Sequence, residues 1–177
     1  MILSFAQWLQ STAFFTAIRE SWYAYPVILS LHMVALTLFG GLIFVTDLRL
    51  LGALRKYPVA DIVNSLRRLK EPGMTLMVIC GLLMAGSKAE EYYYNAFFRA
   101  KMGLLFLVIL HALIFHGSVY SRVTHFDASG MVPGRAKVAA ALSLVLWLGL
   151  LICGRGIGYI DPNLDKIHAL LVNHGVL

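Results

Sequence analysis

Apolar runs of bilayer length alternate with short polar stretches four times along the chain. The first, residues 25–46 inside SWYAYPVILSLHMVALTLFGGLIFVTDLRLLG, carries no formal charge. At about 1.5 Å per residue it covers about 33 Å, enough to cross the hydrocarbon of a bilayer. Runs at 73–87 (extended to 94), 97–119 and 136–157 predict three further crossings. Ahead of them, 3–18 places Phe5, Trp8, Leu9, Phe15 and Ile18 towards one side and Gln7, Gln10 and Ser11 on another. This is the pattern of a short helix lying in the membrane interface. Arg19, Glu20 and Ser21 break it, Trp22, Tyr23 and Tyr25 supply an interfacial aromatic belt, and Pro26 falls where a missing N–H costs least. The expected fold is all-α: an integral membrane four-helix bundle over 1–160 with an N-terminal amphipathic helix, then a short outer tail, 161–177.

Composition agrees with this reading. The 177 residues are 59% hydrophobic and only 14% charged, with a mean hydropathy of +0.76, beyond the range of an ordinary soluble domain. The net charge of +6 is not a nucleic-acid signal, because the Lys and Arg residues fall between the apolar runs. It carries topology instead. Arg49, Arg55, Lys56, Arg67, Arg68 and Lys70 crowd the first connection, where Pro58 is placed to open a short helix, and Arg122, Arg135 and Lys137 mark the third. The second offers Lys88, Arg99 and Lys101 against Glu90 and Glu91. The positive-inside rule therefore predicts a bacterial inner-membrane protein with both termini on the periplasmic side. The N-terminus lacks the basic region and cleavage site of a secretory signal, so the first helix is expected to be kept. Cys80 and Cys153 read as packing thiols, and Phe39 and Trp147 as core. Glycines in every span allow close helix packing or leave room for a flat group.

The candidate chemistry lies in three intramembrane histidines, His32, His111 and His116. An imidazole in lipid must find a partner inside the protein, either a neighbouring helix or a metal. A b-type haem takes two axial nitrogens from different helices at similar depth. Counted from flanking outer residues, His32 lies ~16 Å below Ser21, and His111 and His116 ~18 and ~26 Å below Arg99. The expected iron ligands are thus His32 and His111, with His116 as the alternative or as ligand to a second haem. Arg155, in CGRGIGYI, would meet either lipid headgroups or haem propionates, with Arg99 and Lys101 in reserve. Asp47 and Arg49 read as a local ion pair or helix-end anchor. A proton relay would want a carboxylate within the membrane, where Asp47 at the inner edge is alone. Zinc or copper would need more converging ligands.

The segments WYAYPVILSLHMVALTLFGGLIFVTDLRLLG, NAFFRAKMGLL and LSLVLWLGLLICGR resemble recurring stretches of a family of small bacterial four-helix membrane proteins of unknown function, over roughly 18–160. The stretch from His32 to Asp47, Leu48, Arg49 and Leu50 is its most specific part. The architecture is similar to membrane b-type cytochromes, and the resemblance implies His32 and a third-span histidine as haem ligands. The functional expectation is a haem b protein passing electrons, with quinone or another redox partner, as a subunit of a larger membrane complex without its own substrate chemistry. A structural subunit that binds only lipid or pigment, and a small metal transporter, are the alternatives.

Overall fold

The computed structural model of the protein describes residues 1–53, 59–116 and 132–159, and for 59–70 and 116 the backbone alone. Among the described residues are seven helices and no strand: α1 (Ile2–Ser11), α2 (Ala13–Glu20), α3 (Ala24–Leu51), α4 (Val59–Ser87), α5 (Ala89–Tyr94), α6 (Ala96–His116) and α7 (Gly134–Ile157). Three are long and apolar enough to cross a membrane: α3, the 96–115 part of α6, and α7. The apolar part of α4, Glu71–Ser87, is shorter. Pro58, Arg55, Lys56, Arg122, the side chains of Arg67, Arg68, Lys70 and His116, and the tail after 160 lie outside what is described.

The end that carries Ala24, Ser87, Ala96 and Ile157 is termed upper, and the end that carries Leu51 and Gly134 lower. α3 packs along α4 on one flank and α7 on the other, and α6 packs on α7. α4 and α7 both run antiparallel to α3, and α6 antiparallel to α7. α4 and α6 share no extended face.

Local chemistry sets the breaks. α3 stops at Gly52, whose φ of 99° is left-handed; its N–H bonds the Arg49 carbonyl at 3.1 Å and that of Ala53 the Leu48 carbonyl at 3.0 Å. Glycine takes this conformation without the Cβ penalty. Asn95 divides α5 from α6: its Oδ1 accepts the Phe98 N–H at 3.1 Å, capping α6, and its Nδ2 donates to the Ile157 carbonyl at 3.3 Å, tying the upper ends of α6 and α7.

Two elements differ from the sequence expectation. The interfacial helix is two helices, broken at Thr12, where the backbone is extended and the hydroxyl turns back to the Leu9 carbonyl at 2.9 Å. The short helix expected after Pro58 and the second span are one helix, which runs through Pro72. A proline in a packed membrane helix is tolerated when a neighbour covers the gap. Here Gly73 brings α4 onto α3, and a Cβ in its place would stand 3.6 Å from Phe39 Cβ.

The lower half is sealed by Leu50, Ala136, Ala139 and Ala140, all fully buried, with Phe115 and Val132 against them. Midway, the Phe39 and Trp147 rings meet edge-on at 5.7 Å, as the core packing expected of them. Above, α1 and α2 lie on α4 and α5. Gln7 Nε2 donates to Glu90 Oε1 at 2.8 Å, the Glu90 N–H donates to Gln10 Oε1 at 2.9 Å, and Arg19 Nη1 reaches the Gln10 and Ser87 carbonyls.

Candidate functional site

Two expected ligands, His32 and His111, sit on helices that pack against different neighbours. His32 lies half-buried on α3 with Nδ1 3.0 Å from the Met77 carbonyl of α4. Beside it lies Gly81, where a Cβ would stand 3.4 Å from Cε1, in van der Waals contact with the ring. His111 is buried on α6, with Nε2 3.0 Å from the Ala139 carbonyl of α7 and its ring 4.8 Å from Phe115. A carbonyl only accepts, so the bonded nitrogen carries the proton in each case. His32 is therefore the Nδ1–H tautomer with Nε2 open, and His111 the Nε2–H tautomer with its outward nitrogen engaged.

The structure does not bring the two imidazoles together. Trp147 packs on Phe39 and fixes the height of α7 against α3. His111 is bonded to Ala139, eight residues below Trp147, while His32 is seven residues above Phe39. At about 1.5 Å per residue the imidazoles differ in height by about 22 Å. The level pair expected from the sequence is thus corrected: counting from Ser21 and Arg99 treated those residues as equally high. In fact α3 starts above α6, and Tyr25 near its upper end meets α5, with the Tyr25 and Tyr92 hydroxyls 2.9 Å apart. These residues do not fit a haem held between His32 and His111. Among the described residues no three His, Cys, Asp or Glu side chains gather as a metal-ligand group. The side chain of His116 lies outside what is described.

The basic residues divide differently from the expectation. Arg155 is exposed; it donates to the Tyr159 hydroxyl at 2.9 Å and stacks over that ring at 4.9 Å, one turn along its own chain. Arg99 is exposed as well. Lys101, held in reserve by the sequence reading, is the cation that turns inward. A Cβ at Gly154 of α7 would stand 3.5 Å from its Nζ, and it lies within electrostatic range of His32 of α3 and Cys153 of α7. The upper interior thus holds an ammonium, an imidazole and a thiol contributed by three helices.

Other polar groups were less legible. Asp47 is fully buried near the lower end of α3, and Ser143 is buried on α7. Of the thiols, Cys80 is buried and Cys153 half-buried, both free. Glu90 is buried in the upper cap under Gln7; the alternation of Gln7 and Gln10 on one face of α1 was the available signal. Burial, with the Tyr25 bond next, raises the Tyr92 hydroxyl above the ordinary tyrosine range.

A family model described as a family of unknown function (DUF6644) matches residues 5–160. No curated protein and no solved structure matches the chain.

Proposed function

We propose, for a chain that belongs to the family of unknown function DUF6644, that it is a multi-pass membrane subunit of four crossing helices serving a structural, lipid-binding role. α4 is the fourth crossing in this reading, its lower part continuing beyond the bilayer, and the lysine- and arginine-rich first connection puts the lower end inside. The observation that carries it is the use of the intramembrane imidazoles. His32 to Met77 and His111 to Ala139 each tie one helix to the backbone of the next. In lipid, polar side chains at helix crossings act as glue, each such bond contributing about 0.6 kcal/mol and up to about 1.7. Small residues beneath them, Gly81 and the buried alanines of α7, let the backbones approach.

Absorption spectroscopy and melting of the detergent-solubilised protein test this together. The proposal expects no Soret band from protein expressed with haem supplied, and a lower melting temperature for His111→Ala and His32→Ala. A Soret band lost in His32→Ala would overturn it and restore the electron-carrier reading, with the second ligand sought outside the described side chains. Unchanged melting in both variants would also overturn it.

A further inference from the structure

The upper interior carries a positive charge that the helix-staple role does not use. A lysine that merely anchors a helix end runs its stem up to the headgroups. Lys101 instead lies across at Gly154, in electrostatic reach of a histidine that itself faces α4. Among the described residues it has no carboxylate partner; the ion pair at this end joins Lys88 and Glu91. It sits five residues into α6, about 7.5 Å below its start, where an ammonium without an anion is costly. Within electrostatic range of it, the tautomer fixed by Met77 leaves His32 Nε2 as an acceptor. Gly81 faces the His32 ring and Gly154 the Lys101 ammonium, each with hydrogen in place of a side chain. The route in is lateral, because α4 and α6 close no extended face over this level.

We infer that Lys101, His32 and Gly154 form a seat for the acidic head of a membrane amphiphile, a carboxylate or phosphate oxygen bound by the Lys101 ammonium with its acyl chain leaving between α4 and α6. Charge complementarity selects an anion, and lateral entry at hydrocarbon depth selects one with a tail. When the head is protonated, as a carboxylic acid, His32 Nε2 accepts its hydrogen. The inference rests on α4 and α6 both crossing the membrane, as proposed above.

The test measures retention of radiolabelled palmitate and of phosphatidylglycerol by the delipidated full chain in neutral detergent, with hexadecanol, acetate and inorganic phosphate as competitors. Wild type is expected to retain at least one acidic probe; palmitate alone identifies a fatty-acid seat, phosphatidylglycerol alone a phospholipid one. A charge-assisted bond is lost in Lys101→Met, so binding should fall about tenfold or more, while Lys101→Arg should stay within about threefold. Gly154→Leu keeps the charge and fills the seat, and should lose binding with elution unchanged; it carries the test if Lys101→Met does not fold. Binding in Lys101→Met or Gly154→Leu within twofold of wild type, displacement by hexadecanol, or equal competition by acetate and phosphate overturns the inference. Retention of neither probe overturns it too, leaving the helix-staple reading to stand on its melting data.

Discussion

Each half of the helix assembly contains one histidine whose side chain is described, and the two are used differently. In the lower half His111 is buried among alanines of α7, its Nε2 bonded to a carbonyl and its ring against Phe115. In the upper half His32 is half-buried, bonded through Nδ1, next to Gly81 and within electrostatic range of Lys101. The same residue type therefore closes one region and leaves the other able to receive a polar group. Which nitrogen meets the backbone decides this, and the small residues around it, alanine below and glycine above, decide how much room is left.

The largest effect should come from overfilling the sealed half. Ala139 and Ala140 are fully buried, so Ala140→Leu should cost about 1–3 kcal/mol and lower the melting temperature, while Val138→Leu on the exposed face of the same helix should leave it unchanged. His111→Ala comes next, at about 2 kcal/mol from the lost interhelical bond and the cavity together, with His32→Ala smaller because that ring is only half-buried. Equal losses for the two variants would erase the contrast between the halves. Lys101→Met should have the opposite sign, stabilising the ligand-free protein by about 1 kcal/mol and raising its melting temperature, since an unpaired ammonium in the membrane is costly. The smallest effect is in the upper cap. Because burial raises Tyr92, the folded state favours the neutral phenol, so its contribution is complete below about pH 10 and is lost as pH rises above the unfolded value. Melting between pH 8 and 11 should fall more steeply in wild type than in Tyr92→Phe.

Element lengths were legible because hydropathy alone determines them: α3, α6 and α7 fall close to the apolar runs that predict them, and the break at Ser21 ends α2 as its polar residues imply. Rotation and height were not. α3, α6 and α7 are apolar on nearly every side, so no polar face marks which side meets protein and which meets lipid. The two histidines could be assigned to helices but not to partners; Phe39 against Trp147 set the register, and neither ring carries a signal of that in the chain. Pro72 illustrates the converse error. The apolar run expected as the second span starts at 73, just after it, yet α4 continues through it, with Gly73 close against α3. Lys101 was visible as a charge near a span end, and only its direction, inward to Gly154, separates it from Arg99 and Arg155.

The opposite tautomers of the two imidazoles are the most direct expression of the account, and nitrogen-15 NMR of histidine-labelled protein in bilayers reads them. With signals assigned by their loss in His32→Phe and His111→Phe, the account predicts a proton on Nδ1 of His32 and on Nε2 of His111 at neutral pH. A reversed tautomer at either position, or iron-shifted resonances from both, would contradict it.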